Sequence, residues 1–296
     1  MSTDLTATLE PSSEAPATPG DAAVEPQEII IRPRKGWIAI DWAELWHYRE
    51  LFYFLAWRDV KIRYKQTVLG VAWAVIQPVF SMLVFTIIFG KLAKIPSEGL
   101  PYAVFVYAGL LPWTFFQNAV TQSGLSLVGS QSLLTKVYFP RLIIPTAHVG
   151  AGLVDLAISF GVYAIILALF GVAPSWGIVF IPFLVLLTIA AALGLGLVLA
   201  SLTVTYRDFR YVVPFSMQAL MYLSPVVYPV SIVPQRYHWL LALNPMSGII
   251  DAYRSAILGK PWNFTTLIVS SGVTVALFVF GLYYFRKAER RFADIV

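Results

Sequence analysis

Six stretches of about twenty predominantly apolar residues follow one another along the chain, at roughly 68–90, 103–125, 146–170, 177–202, 209–230 and 263–285. A helix needs about 20 such residues to cross the ~30 Å hydrocarbon layer of a bilayer. The pattern therefore predicts six membrane-spanning helices. The fifth is interrupted by Pro214, Pro225 and Pro229, which predicts a broken or re-entrant end, because proline removes a backbone donor and obstructs the preceding turn. The connections differ in kind. Residues 171–176 (GVAPSW) leave room only for a tight turn, whereas 231–262 carry apolar residues between proline-marked breaks and predict two short external helices, re-entrant or lying on the membrane. Residues 126–145 combine an apolar face with Lys136 and Arg141 and end in Pro140 and Pro145, which predicts a short amphipathic element parallel to the membrane.

Ahead of the first span the spacing changes. From Asp41 to about Lys65, Trp42, Leu45, Trp46, Phe52, Tyr53, Ala56, Trp57 and Val60 recur at helical intervals, and Asp41 with Glu44 resembles a capping box. Three tryptophans on the apolar face and a basic far end predict a helix in the headgroup layer; packing on another domain is the alternative. The first ~35 residues are rich in Ala, Pro, Ser, Thr and Glu, and offer too little apolar surface to offset the entropy of ordering them. They do not read as a signal peptide, since the start is acidic and lacks an apolar run of about 7–15 residues. The expected organisation is a disordered acidic cytosolic tail at 1–36, an amphipathic interfacial helix at 37–65 and a six-span transmembrane domain at 66–296. The fold class expected is an all-α polytopic membrane protein.

Composition narrows the function classes. Of the 296 residues 58% are hydrophobic and 12% charged, against about 45–50% and about 25% in soluble domains. This excludes a soluble enzyme, a disordered scaffold and a nucleic-acid binder. Charge then orients the chain. Residues 1–59 hold ten acidic and five basic side chains, while the remainder holds six acidic and 16 basic ones. With the N-terminus in the cytosol, 16 of the 21 Lys and Arg residues fall on the inner side, a strong positive-inside bias. Both termini are then cytosolic, in keeping with an even number of spans.

Chemistry within the spans is sparse. Asp155, with His148 near one end of the same span, is the ionisable group at membrane depth. Such a residue either ties helices together or serves transport. An ion-driven carrier would need a chain of carboxylates or unwound helices, and the sequence offers none. With no Cys in the chain and His148 alone in the spans, no metal site is expected. Phosphate-cradling G-x-x-x-x-G-K-[ST] is absent too, so an energy source must come from a partner. The glycines of AALGLGLVLASL suit close helix packing. An embedded glycosyl- or acyltransferase would need paired acids facing a cavity; Glu98 and Asp251 are the external candidates, in different loops. Aromatic residues make up 15% of the chain. Some form interfacial girdles, but Trp73, Phe80, Phe85 and Phe89 in the first span, and Phe209, Phe215, Tyr222 and Tyr228 in or beside the fifth, lie deeper. Their faces would suit the C–H faces of sugar rings along a channel, or they face lipid.

Several blocks in order carry a resemblance: RDVKIRYKQTVLGVAWAVIQPVFSMLVFTIIFGKLAKIP from Arg58, YAGLLPWTFFQNAVTQSGLSLVGSQSLLTKVYFPRLIIP from Tyr107, LNPMSGIIDAYRSAILG from Leu243, and FRKAERRFADIV from Phe285. Over about residues 55–296 the chain resembles the membrane subunit of type 2 ABC exporters of lipid-linked polysaccharide, the family that moves O-antigen, capsule and teichoic acid. The resemblance implies a half-transporter in the bacterial cytoplasmic membrane, working as a homodimer with an ABC ATPase dimer that binds the ATP and Mg; no cofactor is expected in this chain. It also implies that Ser132 to Arg141 form a coupling helix, with Lys136, Tyr138, Phe139 and Arg141 meeting the ATPase; binding of anionic headgroups is the alternative. Leu69 and Gly70 would form a cytosolic loop where a lipid pyrophosphate enters, with Arg58, Lys61, Arg63 and Lys65 serving as inner-side anchors and attracting the phosphate. The substrate expected is O-antigen; a small drug or lipid is the alternative cargo.

Overall fold

The computed structural model describes residues 42–65, 70–136 and 138–295, without the side chains of 42, 71, 134–136 and 290–295. The expected tail, Asp41 with its capping role, and Leu69 lie outside the described residues. Helices follow the apolar segments: α1 (Trp42–His47), α2 (Arg49–Lys65), α3 (Val71–Phe85, continued by a π-helical stretch to Leu92), α4 (Tyr102–Gly129), α5 (Gln131–Lys136), α6 (Ile143–Leu169), α7 (Ile181–Thr205, preceded by a 3₁₀ turn from Trp176), α8 (Phe209–Leu223), α9 (His238–Ala242), α10 (Pro245–Leu258) and α11 (Phe264–Ile295). No strand occurs among the described residues.

Among the described residues five helical stretches are long and apolar enough to cross a membrane: Ala72–Leu92, Tyr102–Gly129, Ile143–Leu169, Trp176–Thr205 and Phe264–Glu289. The segment expected as the fifth of six spans is shorter than its apolar pattern suggests. Helix α8 has 15 residues, roughly 22 Å at 1.5 Å per residue. It stops because Pro225 forces the preceding Ser224 out of the helical region, to φ −94° and ψ 147°. The Ser224 hydroxyl turns back to the Leu220 carbonyl at 2.8 Å.

Helix α4 is the central pillar. Of its most apolar stretch 83% is buried, against 11% for Ala72–Leu92, so α4 organises the interior while α3 keeps an open apolar face. Helices α6, α7 and α10 pack around α4, and α11 packs on α7. The α7–α11 contact runs backbone against backbone: a Cβ on Gly281 would lie 2.2 Å from the Gly194 carbonyl oxygen. This bears out close packing as the role of the glycine run in the fourth apolar segment. Several hydroxyls buried in the helices return to their own backbone, as Thr188 to Leu184 O at 2.7 Å and Thr203 to Leu199 O at 2.7 Å, which spares them unsatisfied burial.

Helix α2 packs along the N-terminal half of α6. Leu55, 3% exposed, joins Ile143, Ile144 and Ala147 in a second apolar cluster. Gly150 gives Phe52 its place, since a Cβ there would meet the ring tip at 2.9 Å. Trp46, Tyr53, Phe54 and Trp57 remain exposed. The single helix expected over 41–65 is divided at Tyr48, but hydrogen bonds from Tyr48 N to Glu44 O and from Phe52 N to Tyr48 O keep the path nearly continuous.

Candidate functional site

A cavity of about 320 Å³ opens where α2 meets α3, walled by α3, α4 and α6. Its size is at the lower end of the roughly 300–1,000 Å³ range of small-molecule pockets. Each wall supplies polar groups at helical spacing. Helix α3 contributes Trp73 and Gln77, one turn apart, and α4 contributes Thr114, Asn118 and Gln122 at i, i+4 and i+8. From α6 come Asp155 and Ser159, and from the end of α2 Arg63 and Tyr64. Gly70 closes the corner with φ +41°, a left-handed conformation that glycine adopts without steric cost.

The charged end of the cavity is internally paired. The Asp155 carboxylate accepts from the Arg63 guanidinium on one oxygen and from the Tyr64 hydroxyl on the other. Burial, and then the bond to Asp155, push the Tyr64 phenol above its ordinary pKa, so it stays a donor. One turn earlier on α2 and two turns earlier on α6, His148 Nε2 lies 3.3 Å from Asp59 Oδ2. The Asp155 bonds thus fasten α2 to α6, ahead of any role they serve in transport, and His148 lies close to Asp59 across the same seam without a hydrogen bond to its Oδ2.

The amides make the site unusual for a membrane helix. Trp73, Gln77, Asn118 and Gln122 are all exposed in the protomer, although α4 is otherwise the most buried of the membrane-length helices. An amide turned to hydrocarbon without a partner costs several kcal/mol, on the order of 4–8 in an alkane-like medium. The stripe is therefore suited to water or polar partners rather than to hydrocarbon. Sequence reading missed Gln77, Asn118 and Gln122, although the four-residue period of Thr114, Asn118 and Gln122 was available as a signal.

The remaining sequence-selected residues are distributed as follows. Arg63, Gly70 and Trp73 line the cavity, and Lys65 is exposed at the end of α2. Phe80, Phe215 and Tyr222 present open aromatic surface. Phe85 and Phe89 pack on each other, ring centroids 5.8 Å apart, and against the core, as does Tyr228. Of the coupling residues, Tyr138 is 66% exposed. Phe139, expected at an exposed interface, instead points inward and is 5% exposed among Leu142, Ile143 and Phe285, because the turn through Pro140 into α6 directs it onto the apolar cluster. Arg141 is engaged with α11, its guanidinium donating to the Glu289 carbonyl at 3.0 Å. The Lys136 side chain lies outside the described residues.

A second polar cluster lies at the far end of the protomer. Arg254, which the sequence counts among the external charges, is 1% exposed. Its guanidinium donates to Val226 O at 2.6 Å and Pro225 O at 2.7 Å and lies 3.8 Å from the Phe105 ring centroid. It supplies donors to the non-helical backbone after α8, which has no helical partners of its own. Nearby, Glu98 accepts from the Ser231 hydroxyl at 3.0 Å and pairs with Lys260. Partial burial raises the Glu98 pKa, but the Lys260 ammonium and the Ser231 hydroxyl outweigh it and hold the carboxyl below its ordinary value.

Comparison with known proteins adds the following. The family model described as ABC-2 type transporter matches residues 50–258. An O-antigen export system permease protein of Myxococcus xanthus is 29% identical over 256 residues, covering 86% of this chain and 98% of the relative. Its counterpart in Klebsiella pneumoniae is 26% identical over 243 residues, covering 81% and 92%. A polysialic acid transport protein of Escherichia coli is 24% identical over 242 residues, covering 78% and 91%.

Proposed function

The chain belongs to the ABC-2 type transporter membrane family, and from that premise we propose that it is the permease subunit of an ATP-driven exporter of lipid-linked polysaccharide, with O-antigen as the substrate. One observation carries the reading: the chain aligns with 92–98% of the length of O-antigen export permeases. The geometry supports it. Open aromatic surface on α3 (Trp73, Phe80) and α8 (Phe215, Tyr222) suits a sliding contact with sugar rings, and the amide stripe supplies donors and acceptors for hydroxyls.

In this reading α8 and the segment after it complete a sixth crossing, α1 and α2 lie at the cytosolic interface after the 1–36 tail, and α9 and α10 re-enter from the outer side. The positive-inside distribution supports cytosolic termini in the bacterial inner membrane. Two copies pair through the open faces of α3 and α8, and an ATPase dimer docks below. Tyr138, exposed beside α5, is the tip that meets the ATPase; Phe139 seats that tip on the core. ATP-driven closure of the ATPases pushes on α5 and opens the path between α3 and α8 of both copies. Lys61 and Lys65, exposed on α2 beside the Gly70 corner, attract the phosphates of the lipid carrier.

Deletion of the gene tests the proposal. Surface polysaccharide is expected to disappear while lipid-linked polymer accumulates inside the cell, with the full chain restoring export. An unchanged surface polymer in the deletion strain would overturn it.

A further inference from the structure

The cavity between α3, α4 and α6 combines three kinds of group. Trp73 presents an open ring face, 54% exposed, at one wall. Gln77, on the same helix as Trp73, and Asn118 and Gln122, on α4, present amides, each both donor and acceptor. At the α2 end, Arg63 and Asp155 pair with each other, which leaves that end with no net charge.

An anionic headgroup is a poor match for this set. Bringing a phosphate to Arg63 places it beside the Asp155 carboxylate, and like charges at hydrogen-bond distance repel. A neutral pyranose is a good match. Its C–H face packs on Trp73, and its hydroxyls, each donor and acceptor at once, meet amides with the same double capacity. The volume of about 320 Å³ has room for a unit of this size.

We propose that this cavity is a monosaccharide-binding subsite that holds one neutral sugar unit of the substrate at the cytosolic end of the export path, and that Arg63 belongs to it rather than to phosphate recognition. The inference rests on the export reading and assigns the sugar and the phosphate to different residues: the sugar to the Trp73–Gln77–Asn118–Gln122 wall, the phosphates to the exposed lysines of α2.

The test uses the full-length chain in lipid nanodiscs and saturation-transfer-difference NMR with methyl glycosides of glucose, galactose, mannose and N-acetylglucosamine, each alone and with added pyrophosphate. At least one glycoside is expected to show saturation of its ring C–H protons. That signal falls at least fivefold in Trp73→Ala and in Asn118→Leu, is retained in Trp176→Ala, which alters an exposed aromatic outside the cavity and the export path, and is unaffected by pyrophosphate. Matching size-exclusion profiles for all four proteins establish that the variants are folded, and Gln122→Leu replaces either variant that is not. Three results would overturn the proposal: no glycoside saturating the wild-type chain, saturation persisting in the folded variants, or pyrophosphate displacing the sugar. Surface polymer exported normally by a strain carrying one of these negative results leaves the export reading standing and removes only the subsite.

Discussion

Replacing Arg254 by methionine keeps an unbranched side chain in a slot that is 1% exposed but removes every donor it holds. Two short hydrogen bonds are lost, to Val226 O at 2.6 Å and Pro225 O at 2.7 Å, together with the contact over the Phe105 ring at 3.8 Å. Hydrogen bonds from a charged donor contribute about 1.5–3 kcal/mol each, and a desolvated cation–π contact about 2 kcal/mol. Against this gross loss, methionine escapes the several kcal/mol needed to strip a guanidinium of water. The net destabilisation expected is about 3–5 kcal/mol, the range seen when one side of a buried charged arrangement is removed. At about 2–4 °C per kcal/mol for a chain of this size, the melting temperature falls by roughly 6–20 °C. Thermal melting of the full chain in detergent, followed by the monodisperse fraction on size exclusion, reads this directly. Arg254→Lys should fall between the two, since one ammonium reaches the carbonyls but does not stack on the ring as a planar guanidinium does. A methionine variant within about 2 °C of wild type would refute the reasoning that Arg254 holds the break after α8.

Other perturbations separate neighbouring roles. Phe139→Ala should destabilise the chain by about 3–5 kcal/mol as a buried aromatic truncation, whereas Tyr138→Ala should leave melting within about 0.5 kcal/mol of wild type and uncouple ATP hydrolysis from export; equal melting of the two variants would contradict their opposite placement. Gly281→Ala would set a methyl 2.2 Å from the Gly194 carbonyl oxygen and should prevent accumulation of monodisperse protein, which size exclusion detects. The Glu98 pKa is held below its ordinary value, so its contribution is present above the ordinary carboxylate pKa of about 4.3 and is lost as pH falls through the lower, folded value. Acid melting curves should therefore lose part of their low-pH decline in Glu98→Gln, while curves that coincide with wild type at every pH would count against the Glu98–Lys260 pair.

Helix positions were legible in the sequence wherever apolar length decided them. The expected spans at 103–125 and 177–202 lie inside Tyr102–Gly129 and Trp176–Thr205, because twenty consecutive apolar residues leave few alternatives in a bilayer. At 209–230 the prolines marked the broken end that the structure has: hydropathy continues through Pro225, while α8 stops at Leu223. The site was legible only in part. Asp155 stood out as a charge at membrane depth, yet its partners Arg63 and Tyr64 lie 92 and 91 positions away, and no local spacing connects them. Arg254 was read from its loop as an external charge, while tertiary packing buries it under the segment after α8. Phe139 and Tyr138 are adjacent and both aromatic, so composition cannot say which one faces inward; the apolar cluster beneath the start of α6 decides it. Gln77, Asn118 and Gln122 escaped notice because neutral amides do not register in a count of charges.

ATP-dependent movement of polymer across the membrane is the most direct measurement. Inside-out vesicles containing this chain and its partner ATPase, loaded from outside with radiolabelled lipid-linked polysaccharide, should accumulate protected polymer in the lumen when ATP is supplied, and should not do so with a non-hydrolysable analogue or without the chain. Polymer that becomes protected at the same rate in vesicles lacking the chain would contradict its role as the export permease.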